Sequence, residues 1–141
     1  MVEFTLVFML LLIIAWIPAD FGLAFFTGQL ASNAAREAAR IGAADANYSA
    51  QVGTCSLSAC YSYTDGTILK ETAKRLSSAL LPGATITVSA LTGSTCNQNV
   101  KVQVVGNYNY IFYRMLRFFG ADVPPTVQIN RATVMRWEHQ C

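Results

Sequence analysis

One segment leaves few folds open to this chain. Residues 2–44 read VEFTLVFMLLLIIAWIPADFGLAFFTGQLASNAAREAARIGAA. Sixteen uncharged residues run from Phe4 to Ala19. At about 1.5 Å of rise each they would span roughly 24 Å as a helix, near the low end of what crosses a bilayer. Residues 21–35 are also uncharged but turn toward Ala, Gly, Ser and Asn, so Asp20 is the one charge between Phe4 and Ala35. A greasy first half followed by a small-residue second half suits lipid first and a packed protein environment second.

The rest of the chain looks like an ordinary small domain. Hydrophobic residues make up 53% of the 141, concentrated at the N-terminus. The expected organisation is an N-terminal helix over 1–44 and a disulfide-bonded α+β domain over 45–141, with the helix packed on a small antiparallel sheet and a second helix. Net charge is +2, with basic residues scattered from Arg36 to Arg136, and no basic-aromatic stripe suggests a nucleic-acid site. Apolar membrane segments usually follow Lys or Arg. None precedes this one, so a trimmed basic leader is expected.

Three features of the segment invite a functional reading. Glu3 puts a carboxylate at the edge of an apolar run, which is costly unless neutralised or paired. The α-amino group of Met1, from the same or a neighbouring copy, is the nearest cation and would make a subunit-docking pair. Pro18 removes a helical hydrogen bond and crowds the Ile14 carbonyl, so a kink or unwinding is expected over residues 14–22. There Asp20 could cap the restarted helix and Gly22 would soften it. Ala31, Ala35, Ala38 and Gly42 recur at helical spacing as a small-residue face. It permits close approach either of neighbouring helices or of the chain's own sheet, with Arg36, Glu37 and Arg40 standing off it.

Residues 45–64 read as a polar, turn-rich loop holding Cys55 and Cys60. Their spacing is not that of a redox CxxC pair, and in an exported chain the default for four cysteines is disulfide formation. A small, exposed Cys55–Cys60 staple is expected. A second helix is expected over about 65–81, started by Asp65 or Thr67 and stopped at Pro82-Gly83, with Leu69, Ala73, Leu76 and Leu80 facing the core. The period then changes to two. Ile86, Val88 and Ala90 form one strand face, and Val100, Val102, Val104, Tyr108 and Tyr110 another. Residues 111–120, IFYRMLRFFG, are expected to form a helical turn or loop that packs against the sheet with Arg114 and Arg117 outward, a membrane-surface or partner contact being the alternative. Pro124-Pro125 leads into a last strand whose apolar residues switch parity between Ile129 and Ala132, which a bulge at Asn130-Arg131 would reconcile. If the second and last strands pair antiparallel, Cys96 and Cys141 meet, giving a Cys96–Cys141 bridge.

The stretches VEFTLVFMLLLII, DFGLAFF and QLASNAAREAARIGA together resemble the N-terminal motif of TadE-like proteins, pilins and pseudopilins of the Tad branch of the type IV pilus superfamily. NRATVMRWE is similar to the strand that closes them. The resemblance implies a subunit stored in the bacterial inner membrane, trimmed by a prepilin peptidase, and drawn by pilus assembly machinery into an extracellular filament of its own copies. It also implies that an acid near the mature N-terminus, matched by Glu3, pairs with the next subunit's amine. The family's acid usually stands fifth, so a third-position acid is a departure. The alternative within this resemblance is a minor pseudopilin or envelope-anchored protein that primes a pilus or secretion machine. Nothing suggests catalysis or a cofactor: His139 reads as surface, and no phosphate loop, nucleophile elbow or metal-ligand spacing is present.

Overall fold

The computed structural model describes residues 2–92, 98–112, 117, 120, 122 and 124–138. Helix α1 runs Val2–Ala44 with Pro18 inside it. A 3-10 turn (Tyr48–Gln51), strand β1 (Gly53–Ser56), a single helical turn α2 (Leu57–Cys60) and helix α3 (Ile68–Lys74) follow, then strands β2 (Thr85–Thr92), β3 (Gln98–Asn109) and β4 (Thr126–Arg136). The fold is α+β: a long helix on a four-stranded antiparallel sheet of order β1-β2-β3-β4.

The sheet has one dry face, which the period-two pattern dictates. Ile86 lies opposite Val104 and Val88 opposite Val102, and all four are buried. Tyr108 continues this face and is buried, while Tyr110 is half-buried and Ala90, at the strand end, is exposed. Gly106 sits between Val104 and Tyr108, where a Cβ would lie 3.0 Å from both Ala84 and Leu81. The second half of α1 covers this dry face, packing on β4 and β3, with α3 beside it. Ala31, Ala34, Ala35, Ala38 and Ala39 are essentially inaccessible. The small-residue face therefore serves the chain's own sheet. At Gly42 the approach is closest, since a Cβ there would come within 2.9 Å of Val100 Cγ1 and 3.1 Å of Ile68 Cδ1.

Several expectations are corrected. The helix continues through Pro18 with no unwound stretch. A proline costs a helix about 3 kcal/mol, and contacts made on both sides of it help to offset that cost: Trp16 against the Phe112 ring, and Asp20 against the β3–β4 connection. The second helix stops at Lys74, not near 81, because Arg75 and Leu76 take tight bonds to Thr72 and Ala73 carbonyls and Ser77 turns the chain. Leu69, Ala73 and Leu76 are still buried, with Leu80 half-buried. The 45–64 segment is not simply loop, since β1 pairs in it with β2. No bulge occurs in β4, whose register against β3 is uninterrupted from Thr126 to Arg136. Val127 and Ile129 face α1, and Ala132 and Val134 lie exposed on the outer face.

Cys55 and Cys60 form the expected disulfide. It is not an exposed staple: both residues are core, tying the end of β1 to α2. Cys96 and Cys141, and with them the expected Cys96–Cys141 bridge, lie outside the described residues.

Candidate functional site

Two parts of α1 stand out, and they meet at Asp20. The first is the free-standing half. Phe4, Leu6 through Leu12, Ile14, Trp16, Phe21, Leu23, Phe25 and Phe26 are all exposed. Fully burying such a side chain is worth about 1.5–3 kcal/mol, so a water-exposed arrangement would be heavily disfavoured. The helix contains an eighteen-residue window of mean hydropathy 2.3 that is only 6% buried within the protein, long and apolar enough to cross a membrane. Glu3 lies exposed in its first turn. Met1 is outside the described residues.

The second part is a latch. Along α1, the less exposed positions Ile13, Ile17, Asp20, Ala24, Gly28, Ala31, Ala35, Ala38 and Gly42, with Thr27 beside Gly28, recur at steps of three and four, which is one helical face. Asp20 stands on this seam and is only 4% exposed. It caps no restarted helix. Its Oδ1 accepts hydrogen bonds from the Tyr108 hydroxyl at 3.0 Å and the Ile111 N–H at 3.2 Å. Its Oδ2 accepts the Phe112 N–H at 3.0 Å. Thr27, also buried on the seam, satisfies its hydroxyl on the Leu23 carbonyl at 2.7 Å.

Aromatic rings close around this carboxylate. The Trp16 and Phe112 rings meet edge-on at 4.0 Å between centroids, Phe21 meets Tyr110 at 5.5 Å, and Tyr108 meets Tyr110 at 5.6 Å. Of the 111–120 stretch, the Phe112 ring packs on Trp16 of the helix and Arg117 is exposed, while Arg114 lies outside the described residues. Burial, and then the bond to Asp20, push the Tyr108 hydroxyl up to about 12, so at neutral pH it remains a donor. Beside the cluster, a groove between α1 and β4 is lined by Phe21, Phe25, Gly28, Tyr110 and Arg131.

Elsewhere the charges are surface pairs. Glu37 takes Arg40 at 2.7 Å and Arg75 at 3.4 Å, and the Arg40 guanidinium keeps the Glu37 carboxyl below its ordinary value. Asp65 takes Lys74 at 2.8 Å and Lys70 at 3.3 Å. Among the described residues no group of His, Cys, Asp and Glu is arranged to hold a metal.

The arrangement is thus a membrane-competent helix whose first half stands free and whose second half is clamped to a small sheet. Residues 1–40 match the TadE-like protein family. The match ends inside α1, and residues 41–141 lie outside it. No curated protein and no solved structure shows a significant match to the chain. The TadE-like segment contains the whole free-standing half, Pro18, the Asp20 latch residue and most of the small-residue face. It associates the chain with Tad pilus proteins of pseudopilin type and with a membrane or pilus setting.

Tyr108 is legible from sequence as a strand-face residue and Ile111 and Phe112 as part of the 111–120 stretch, but their bonds to Asp20 are not. One signal was available: Asp20 lies four residues before Ala24, itself seven before Ala31, so the lone charge shares the body-facing seam.

Proposed function

We propose that this chain is a structural subunit of a Tad-type pilus, stored in the inner membrane through the first half of α1 and polymerised through that same half into an extracellular filament. The observation that carries this reading is the contrast along one helix. Residues 4–26 present large apolar side chains outward, whereas Ala31, Ala34, Ala35, Ala38, Ala39 and Ala43 are buried on the side of the chain's own sheet. The exposed half needs a partner that is equally apolar. Lipid supplies it before assembly, and the helices of other copies supply it afterwards, leaving the disulfide-bonded sheet domains on the outside.

In this reading Glu3 is the docking acid. Inside a bundle of apolar helices an unpaired carboxylate is expensive, and the α-amino group of an adjacent copy neutralises it. In this reading a prepilin peptidase trims the chain and pilus machinery extracts it from the membrane; the TadE-like match of residues 1–40 supports the association with that machinery. The pseudopilin character of that match supports a second reading, in which the chain is a scarce subunit that primes assembly.

Replacing Glu3 tests the docking role. Glu3→Ala is expected to leave the membrane level of the protein unchanged and to abolish fibres in sheared surface material. Normal fibre yield from cells whose only copy is Glu3→Ala would overturn it.

A further inference from the structure

The length of the exposed apolar zone says where the bilayer ends, and it does not end at Asp20. From Phe4 to Phe26 is twenty-three residues of helix, roughly 35 Å, against a hydrocarbon core of about 30 Å. A zone stopping at Ala19 would be only about 24 Å long and would leave Phe21, Leu23, Phe25 and Phe26 outside, all exposed. Phe25 alone is 69% exposed. The longer zone spans the whole core and takes in these exposed side chains, whereas the shorter one falls about 6 Å short of it and takes in none of them.

With the boundary at Phe26, Asp20 lies about six residues, or roughly 9 Å, inside it. A bare carboxylate at that depth carries a cost of kilocalories per mole. Here the carboxylate is 4% exposed and takes three donors. Two of them are backbone N–H groups of the β3–β4 connection, which fixes Ile111 and Phe112 at the level of Asp20. The Ile111 side chain, at that level, is 59% exposed. Just beyond Phe26, at Gly28, the Arg131 guanidinium lies against the helix, 3.5 Å from where a Cβ would be. The order along the axis is apolar, apolar, then cationic, which is the order of acyl chain, boundary and headgroup phosphate.

From this we infer that the sheet domain seats directly in the bilayer: the Tyr110–Phe112 turn is immersed in the outer acyl region beside Phe21 and Phe25, with Arg131 at the phosphates. The occupant of this surface is lipid. The immersed turn completes the hydrogen bonding of an acid that a lone helix could not carry to that depth. This surface rests on the membrane residence proposed above, because it is the flank of the same spanning helix.

The test is a benzoylphenylalanine photoprobe carried in place of Ile111 in the full-length protein, reconstituted in vesicles of phosphatidylethanolamine and phosphatidylglycerol. Probes in place of Leu11 and of Val134, on the outer sheet face, are run in parallel. After illumination, mass spectrometry is expected to find lipid adducts at positions 11 and 111 and none at 134. An adduct at 11 without one at 111 would overturn the immersed turn while leaving the spanning helix intact. A cross-link from 111 to a second copy would overturn it as well, by giving the surface a protein occupant. No lipid adduct at 11 would contradict membrane residence and this inference together.

Discussion

Removing the Asp20 carboxylate leaves the Tyr108 hydroxyl and two backbone N–H groups without an acceptor, and each buried unsatisfied group costs about 1–3 kcal/mol. Asp20→Ala should therefore lower the unfolding free energy in detergent by at least the low end of that range. Asp20→Asn should fall between it and the parent, since an amide oxygen can replace Oδ1 but an amide nitrogen cannot accept from Phe112. Denaturant titration followed by circular dichroism orders the three, and Asn worse than Ala would contradict the latch. Tyr108 gives a pH test. Its hydroxyl is raised from 10.0 to about 12 by burial and by Asp20. A group raised on folding contributes stability that is complete below its unfolded value and lost as pH climbs through its folded one. The parent should thus lose stability between pH 10 and about 12 more steeply than Tyr108→Phe. Parallel curves for the two proteins would show that Tyr108 contributes nothing there. This latch was hard to see beforehand because its partners stand 88–92 residues from Asp20 and two of them are backbone donors, which no side-chain pattern displays.

Element by element, legibility followed side-chain periodicity. The strand faces of β2 and β3 were readable because Ile86, Val88, Val100, Val102 and Val104 alternate with polar residues. Strand β1 was not, because GTCS has no alternation of its own and is drawn into the sheet by pairing with Thr85–Val88. The bulge expected in β4 rested on Ala132 and Val134 needing burial. The structure leaves them exposed and gives the inner face to Thr133 and Met135, which are only half-buried. Helix α1 was legible in extent but its continuity through Pro18 was not, since the contacts on either side of that residue come from a distant connection. Its tightest point makes a prediction. Gly42→Ala must push into Val100 and Ile68, and overpacking of a filled core costs about 1–3 kcal/mol, whereas Gly22→Ala meets nothing within 4 Å and should be neutral or stabilising. Thermal unfolding of the two variants separates these outcomes. Reducing the buried Cys55–Cys60 bridge should cost about 2 kcal/mol by loop entropy alone, readable as a lower denaturant midpoint for the paired Cys55→Ala, Cys60→Ala variant.

At the scale of the whole molecule, a single helix does two jobs. Its second half packs on the chain's own sheet, so among the described residues the large exposed apolar side chains left for partners gather on the first half and the hem around Phe21, Phe25 and Ile111. That division is why the protein should exchange lipid for copies of itself without refolding its sheet domain. The most direct test is to count the chain in sheared surface fibres against the membrane fraction of the same cells by quantitative mass spectrometry, with electron microscopy of the fibres. The account predicts that it is the principal protein of the fibres. Abundant fibres that hold only trace amounts of it, with the rest remaining in membrane, would contradict that claim.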